Sequence, residues 1–488
     1  MPRDLLIPTE HRRRRGTALV AAALLGTAGG CQSYQPKPLD LPAHGAAFLA
    51  RTPDSADVRS FAETLASRSS AANAPSATFD PADGLTCSEA EVIALVYNAD
   101  LRLARLRAGV ARATAANSGL WEDPTIGVNL ARIVQSTPEP WKVFTNLGIT
   151  LPISGRLAIE QQRADAQYAA ELSRLAEREW SVRMSVRRAW CEWIALDDQL
   201  AAGRDFITRV DQVLAVVDQM ERAGEIARTE ARLFRIEKST KASELALLEA
   251  ETAHADLRLR RLMGLSPDAP LHFQAVGGGP VRSDRANNAP ATDLENRSPS
   301  ILVAKAEYQA AETALALEIR KQYPDLHLAP GYGREDGQDQ ILLGLSLPLP
   351  ILNANRRAIA EAQANRDLAR TAAETTLERV TSDVRAARVR VAAAARRRTT
   401  LETEIVPLVD AQYTDAREVA RLGEVNTLVL LESLKRQHEA KLALVAAVRD
   451  ESLADIDLEE LLGPAAATLA HTADTHNNAS ADHKQGTP

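Results

Sequence analysis

The sequence carries one strand-to-proline pattern twice, as Leu147-Gly148-Ile149-Thr150-Leu151-Pro152-Ile153 and as Leu343-Gly344-Leu345-Ser346-Leu347-Pro348-Leu349. The second copy begins 196 residues after the first (343 − 147). The features around it recur in the same order, with an earlier proline and a later glycine at Pro124 and Gly224, and then at Pro324 and Gly423. A repeat of this length indicates a duplicated structural unit, because solenoid modules span only about 20 to 50 residues.

Strict alternation of apolar and polar residues predicts two strand pairs, at 125–134 with 142–151 and at 325–333 with 340–349. One face of each pair is apolar, and the other carries Thr, Asn, Ser, His and Gly. The segments have about the length that a tilted strand needs to cross an outer membrane. Aromatic residues near the strand ends fit the belts found at membrane interfaces, and they are Trp121, Trp141, Tyr323 and Tyr332. The alternative interpretation is two hairpins that cover a small soluble core.

Helical runs of unusual length are predicted from Gly155 to about residue 223 and from Ala354 to about residue 422. A run of about 65 helical residues would extend on the order of 100 Å. We expect Pro407 to bend or interrupt the second run. Each run ends at a glycine and is followed by a helix of about 35 to 40 residues, which predicts two helical hairpins with coiled-coil packing.

The predicted fold class is mainly α with a small membrane β-barrel, built from a duplicated repeat with four strands and long coiled-coil helices per protomer. Four strands cannot close a barrel, and unpaired strand edges in lipid cost several kcal/mol for each backbone group. Bacterial barrels begin at about eight strands, so closure requires further copies of the chain.

The domain boundaries follow from composition. Residues 1–30 are predicted to be a signal peptide, because a cluster of arginines precedes an apolar stretch too short to span a bilayer. The remaining boundaries are a largely extended tether at 31–85 with one short helix near 58–66, repeat 1 at 86–266, a linker at 267–293, repeat 2 at 294–463 and a disordered tail at 464–488.

Cys31 follows small residues in a pattern that resembles a bacterial lipobox. We therefore expect Cys31 to be acylated and to anchor the tether in a membrane. The alternative is ordinary cleavage that leaves an incidental thiol. Cys87 and Cys191 are predicted to be buried thiols, and a disulfide between them is the alternative.

Composition and motif searches exclude several classes of function. The net charge of −7 provides no basic footprint for nucleic acid. No run of eighteen apolar residues predicts a transmembrane helix in the mature chain. The sequence contains no HExxH, GxSxG, GxxxxGK(S/T), GxGxxG or CxxC motif, so we predict neither an enzyme nor a bound cofactor. No metal site is expected, because His471, His476 and His483 are scattered along a polar tail.

The ordered duplication resembles the TolC family of outer-membrane efflux proteins, including its lipoprotein members. The resemblance covers about Thr86 to Gly463 and rests on the order helix, proline, strand pair, Leu-Pro, long helix, Arg-x-Gly-Glu turn, helix and Met/Leu-Gly. It implies a homotrimer whose twelve strands form an outer-membrane barrel, continued by a helical tunnel in the periplasm. The implied partners are a periplasmic adaptor protein and an inner-membrane efflux pump, which delivers small molecules or metal ions to a passive duct.

The same resemblance implies functional positions near the hairpin tips. The carboxylates that line the constricted entrance in this family match Glu230 and Glu432, while Val429 stands where the family can carry a second acid. Rings of such carboxylates would concentrate cations, although solvated surface acids are the alternative. The tip residues expected to dock on the adaptor are Arg222, Gly224, Arg421, Leu422, Gly423 and Glu424.

The alternative function is a non-conducting periplasmic coiled-coil adaptor or scaffold lipoprotein. Such an adaptor is expected to have one helical hairpin between compact β-rich halves. This sequence instead predicts two hairpins and two strand pairs of membrane length.

Overall fold

The computed structural model describes residues 33–70, 79–81, 83–132, 134, 141–274, 293–335, 338–421 and 427–464. The predictions for the signal peptide, Cys31, most of the linker and nearly all of the tail lie outside these residues. The contacts divide the chain into residues 1–49 and residues 50–488. In the first unit the described residues end in helix α1 (Leu41–Leu49).

The second unit is mostly helical and contains one small sheet, as the fold class predicts. Its helices are α2 (Ala56–Ser70), α3 (Cys87–Tyr97), α4 (Ala99–Ala116), α5 (Arg156–Ala223), α6 (Arg228–Met263), α7 (Leu294–Arg297), α8 (Pro299–Arg320), α9 (Arg356–Thr400), α10 (Val406–Arg421) and α11 (Thr427–Leu462). Its strands are β1 (Thr125–Arg132), β2 (Trp141–Leu151), β3 (Leu326–Glu335) and β4 (Gln338–Ser346). Within the described segments, no helix combines the length with the apolarity that crossing a membrane requires.

The four strands form one antiparallel sheet in the order β1-β2-β3-β4. The pairing of β2 with β3 joins repeat 1 to repeat 2, so the two predicted hairpins are not separate units. Both ends of each strand lie within three residues of the predicted bounds. This agreement is expected, because alternation with a period of two residues identifies strands directly.

Each of the two hairpins consists of a long helical run and a shorter returning helix, as predicted. Helix α5 has 68 residues, which corresponds to about 100 Å, and pairs with α6. In repeat 2, one turn of π-helix (Leu401–Ile405) separates α9 from α10. Pro407 has no N–H to donate to the carbonyl of residue 403, and the wider π turn accommodates this gap. The predicted interruption at Pro407 is therefore confirmed.

The two repeats bury equivalent apolar residues. Leu101 on α4 and Met263 on α6 belong to one cluster, and their counterparts Ile301 on α8 and Leu462 on α11 belong to another. A third cluster joins the repeats through Trp180 and Met184 on α5 and Ile456 on α11.

Two glycines end the returning helices of the two hairpins under the same constraint. Gly264 follows α6 with φ 73°, and Gly463 follows α11 with φ 76°. A Cβ at Gly264 would lie 2.3 Å from the carbonyl oxygen of Tyr97, and a Cβ at Gly463 would lie 2.2 Å from that of Arg297. Glycine is therefore required at both positions for backbone conformation and for space.

The N-terminal segment differs from the predicted extended tether. Helices α1 and α2 occupy much of its described part, and α2 is longer than the predicted helix near 58–66. Val58 on α2 is fully buried in the cluster that contains Ile93, and the Tyr97 hydroxyl donates to Ser55 at 2.6 Å. Burial of the apolar face of α2 explains why residues 56–70 fold onto repeat 1.

Candidate transport surface and helical tips

One face of the sheet is apolar across all four strands. Strand pairing places directly opposite residues on the same face. The apolar members of this face include Ile126, Val128, Leu130, Val143, Leu147, Ile149, Leu328, Tyr332, Ile341, Leu343 and Leu345. Its polar members are Thr145 and, at the end of the sheet away from the helices, Arg132, Arg334 and Asp339. The apolar side chains are largely uncovered in the single chain; Ile341, for example, is 90% exposed. An apolar surface of this extent indicates contact with a partner or with lipid.

The opposite face carries small and polar residues, with Phe144 and Leu342 as its large apolar members. Its other members include Gly127, Asn129, Asn146, Gly148, Thr150, His327, Gly331, Gly333, Gln340, Gly344 and Ser346. A Cβ at Gly127 would lie 2.4 Å from Oδ1 of Asn146, and a Cβ at Gly333 would lie 2.1 Å from Cδ1 of Phe144. The larger side chains therefore lie over the glycines, where a neighbouring chain segment approaches too closely for a Cβ.

Pro330 lies inside β3, a strand that pairs on both sides. Its ladder with β4 is continuous and includes Pro330 opposite Leu343. Its ladder with β2 is interrupted between Asn146–Gly331 and Ile149–Leu328, and resumes in the same register. The interruption has a simple cause, because proline has no N–H to donate.

An ion-pair cluster joins the sheet to the helices. Asp325, which directly precedes β3, accepts a hydrogen bond from the Ser154 hydroxyl at 2.7 Å and another from Nε of Arg156. Arg156 also donates to Glu122 at 2.6 Å. Burial raises the pKa of Asp325, but the hydrogen bonds from Arg156 and Ser154 outweigh it and hold that pKa below its usual value. The cluster fixes the start of α5 against the second strand pair.

The tip of the first hairpin is a glycine-closed turn. Gly224 has φ 77°, and the Glu225 N–H donates to the Met220 carbonyl at 2.9 Å, as in a Schellman motif. Arg222 is exposed and donates to the backbone carbonyl of its own helix at Asp218. The exposed turn leaves Arg222 and Gly224 accessible to a partner.

The tip of the second hairpin lies largely outside the described residues. Leu422, Gly423 and Glu424 are not among them, and of Arg421 only the backbone, at the end of α10, is described. The docking assignment of these four residues stays a prediction.

The two predicted entrance carboxylates have different environments. Glu230 lies in the first turn of α6 and accepts a hydrogen bond at 2.7 Å from the hydroxyl of Thr427, the first residue of α11. Thr427 is 3% exposed, so this bond joins the two hairpins inside the tip. Glu432 lies on the surface and pairs with Arg436 one turn away at 2.9 Å. The two carboxylates therefore have different partners, one inside the tip and one on the surface.

A shared apolar core holds the tips of the two hairpins together. It is formed by Phe206, Val210, Leu214 and Val217 of α5, Ala231 and Phe234 of α6, Tyr413 of α10, and Leu430, Leu431 and Leu434 of α11. The ring of His438 lies against Phe206, with 4.5 Å between ring centroids. Burial, followed by the nearby Lys241, lowers the pKa of His438 to about 4.

Sequence reasoning did not find Thr427, His438 or Asp325. Each acts through a residue far away in the chain, so local patterns carried no signal for it. The described residues contain no group of three or more His, Cys, Asp or Glu side chains placed to bind a metal ion. Cys87 and Cys191 are free thiols, and burial raises the pKa of Cys191 to about 11.

Sequence comparison finds one distant relative among the characterised proteins. The chain is 23% identical over 244 residues to the cobalt-zinc-cadmium resistance protein CzcC of Cupriavidus metallidurans. The match covers 49% of this chain and spans 58% of the length of CzcC. No family model matches the chain.

Structural comparison finds the same fold in solved outer-membrane channels. CusC, which was solved in a study of transmembrane channel formation, superposes with a TM-score of 0.66 at 17% identity, covering 78% of this chain and 92% of CusC. The outer-membrane channel OprN superposes with a TM-score of 0.66 at 18% identity, covering 89% of this chain and 99% of OprN. The chain therefore has the fold of the outer-membrane efflux channels, the TolC family that its duplicated sequence resembles.

Proposed function

We propose that the chain forms the outer-membrane exit duct of a tripartite efflux or secretion system. In this role it passively conducts small molecules or metal ions that an inner-membrane pump and a periplasmic adaptor deliver. The observation that carries the proposal is the separation of the sheet into one apolar face and one small, polar face.

This separation matches the two surroundings of a transmembrane strand. An apolar outer face suits lipid, and a polar inner face suits an aqueous lumen. The aromatic residues support the same orientation, because Trp121 and Tyr323 lie near the end of the sheet that joins the helices, and Trp141 and Tyr332 lie toward the other end. All four are more than half exposed, as interfacial belts require.

The open edges of the sheet support assembly. Among the described strands, β1 and β4 each have a neighbour on one side only. In lipid the free edge of each would cost several kcal/mol for every unpaired backbone group. Pairing β4 of one copy with β1 of the next removes these edges, and three copies would close a barrel of twelve strands.

The helical tips are proposed as the adaptor-docking surface. In the first hairpin, the exposed Arg222 and the Gly224 turn support the assignment, and Arg421 to Glu424 are their counterparts in the second. An exposed hairpin end has few other reasons to repeat the order Arg-x-Gly-Glu in both halves.

We also place Glu230 and Glu432 at the entrance of the duct, with different roles. Glu432 has a side chain that is 55% exposed, so it can meet passing cations. Glu230 is held by Thr427, so its expected role is to keep the two hairpins in register.

The proposed cargo is a divalent metal ion or a small organic molecule. The name of CzcC links that relative to resistance against cobalt, zinc and cadmium, and divalent metal ions are therefore the first cargo to test. Because the match covers 58% of CzcC, small organic molecules remain in the proposed range.

The decisive experiment combines fractionation with conductance. The full chain is expressed with its own N-terminus, and the membranes are separated by density. We expect the protein in the outer-membrane fraction, as an oligomer in mild detergent, with stepwise conductance after reconstitution in planar bilayers.

A sheet-face variant supplies the matched control. Leu343→Asp on the apolar face should abolish membrane insertion, whereas Gln340→Asp on the polar face should insert and alter ion selectivity. A monomer that stays in solution after removal of its acyl group would overturn the proposal and favour the non-conducting adaptor or scaffold.

A further inference from the structure

The two repeats of one chain meet along a helical seam that contains a specific ion pair. Helix α5 of repeat 1 packs along α8 of repeat 2. Arg174 on α5 donates to Glu307 on α8 at 2.6 Å through Nη2 and at 3.0 Å through Nε. Arg174 also pairs with Glu171 on its own helix. We call this contact the internal seam.

The duplication assigns each residue of the internal seam a counterpart 200 positions away. This offset relates the starts of α4 and α8 (99 and 299) and the starts of α5 and α9 (156 and 356). It also relates buried positions, since Trp180 and Met184 on α5 correspond to Val380 and Val384 on α9.

The counterpart of the ion pair has both charges reversed. Glu307 on α8 corresponds to Arg107 on α4, and Arg174 on α5 corresponds to Glu374 on α9. Glu374 has an oppositely charged neighbour on its own helix, Arg370, at 2.9 Å, as Arg174 has Glu171. Within the described chain α4 and α9 do not pack along each other, so Arg107 and Glu374 cannot meet as Glu307 and Arg174 do.

The helix faces at these positions are covered in the internal seam and open at its counterpart. Val303 on α8 is 9% exposed, whereas its counterpart Leu103 on α4 is 58% exposed. Leu106 and Val110 continue this open stripe on α4, at 70% and 68% exposure. On the other helix, Leu175 of α5 is buried, but its counterpart Thr375 of α9 is exposed. In the internal seam, α5 covers this face of α8 and α8 covers this face of α5. The open face of α4 therefore needs a partner like α5, and the open face of α9 needs a partner like α8.

We infer that α9 of one copy docks along α4 of a second copy of this chain, and that Glu374 pairs with Arg107 across that contact. The inference rests on the proposed assembly and deepens it, because it names the residues that set the register between copies. The contact repeats the internal seam with its charges exchanged, so repeat 2 of each copy meets repeat 1 of the next.

The exchanged charges also oppose incorrect pairing. If α5 met α4 of another copy, Arg174 would face Arg107. If α9 met α8 of another copy, Glu374 would face Glu307. Like charges at a contact disfavour both arrangements, and only the alternating order of repeats leaves every pair matched.

Paired cysteines test the geometry directly. The variant with Arg107→Cys and Glu374→Cys, cross-linked in the membrane with a short bismaleimide, should yield covalent dimers and trimers of the full chain. Each single cysteine variant should yield none. The matched control with Arg174→Cys and Glu307→Cys should cross-link within one chain, so it should gain the mass of one cross-linker and still migrate as a monomer.

Charge exchange tests the pairing. Arg107→Glu and Glu374→Arg should each lower the temperature at which the oligomer dissociates in mild detergent, and the double variant should recover most of that loss. An oligomer that survives in detergent, but gives no cross-link between positions 107 and 374 and no recovery in the double variant, would overturn this pair and leave the proposed duct intact. A monomer in membranes and in detergent would overturn both.

Discussion

The hydroxyl of Thr427 donates a hydrogen bond of 2.7 Å to the carboxylate of Glu230, which lies 197 residues earlier in the chain. The two residues lie in the first turns of the returning helices of the two hairpins, α11 and α6. Their bond lies beside an apolar core that draws side chains from both hairpins. The tip of the chain is therefore one packed unit, and its hairpins cannot separate without breaking this bond and exposing that core.

Replacing Thr427 with Val should loosen the tip. The substitution keeps the side-chain volume but leaves the Glu230 carboxylate without its donor, at an expected cost of about 1–3 kcal/mol. Hydrogen exchange should accelerate in the tip core around Phe206 and Leu434 and stay unchanged around Trp190. Glu230→Ala combined with Thr427→Val would complete a double-mutant cycle, because each single change removes one partner of the bond. A coupling energy near zero would contradict a direct bond.

Removing the charge of Asp325 should destabilise the junction between sheet and helices. Asp325→Asn weakens the hydrogen bonds that Ser154 and Arg156 donate, and we expect a loss of about 1–3 kcal/mol in the free energy of unfolding. Arg436→Ala removes only an exposed pair with Glu432, so its expected cost stays below about 1 kcal/mol. Thermal unfolding in detergent compares the two variants, and equal losses would argue against a structural role for Asp325.

The pH dependence of this junction has a definite sign. The pKa of Asp325 is lower in the folded chain than its ordinary value. Its contribution is therefore fully present above the ordinary pKa of an aspartate, and it is lost as the pH falls through the folded value. Wild-type protein should lose stability faster than Asp325→Asn on strong acidification.

The sequence predicted the features that local patterns encode. Alternation located the four strands, and the duplicated glycines located the ends of the hairpins, because Gly224 and Gly264 have positive φ values that favour glycine over any residue with a Cβ. The repeat also predicted a duplicated structural unit, and in the structure the two halves bury equivalent positions such as Leu101 and Ile301. These features depend on neighbouring residues, which a single sequence displays.

The contacts between distant elements could not be predicted in the same way. Arg156 and Asp325 are separated by 169 residues, and no local pattern distinguishes Asp325 from other acids that precede a strand. In the N-terminal segment, helix α1 and the packing of α2 on repeat 1 were missed for a related reason. Its proline-rich and alanine-rich composition suggests a tether, whereas the burial of Val58 depends on a surface that repeat 1 provides.

Alanine at the closing glycines should separate conformational cost from steric cost. At Gly224 the φ is positive, but a Cβ added there would meet no atom within 4 Å, so Gly224→Ala should cost about 1–2 kcal/mol. Gly264→Ala adds a clash with the Tyr97 carbonyl, and the expected total is about 2–5 kcal/mol. Gly463→Ala should behave like Gly264→Ala, because the Arg297 carbonyl approaches equally closely. Similar losses at Gly224 and Gly264 in thermal unfolding would show that space is not limiting.

Acidification should destabilise the tip through His438, which is 6% exposed and lies against Phe206. Burial, with Lys241 nearby, lowers its folded pKa from 6.5 to about 4. Between these values the unfolded chain binds the proton and the folded chain does not, so stability is retained above about pH 6.5 and falls toward pH 4. The expected loss is on the order of 3 kcal/mol. His438→Leu should flatten this slope in hydrogen exchange of the tip, whereas the exposed His254→Leu should keep it, and an unchanged slope in His438→Leu would assign the pH dependence to other groups.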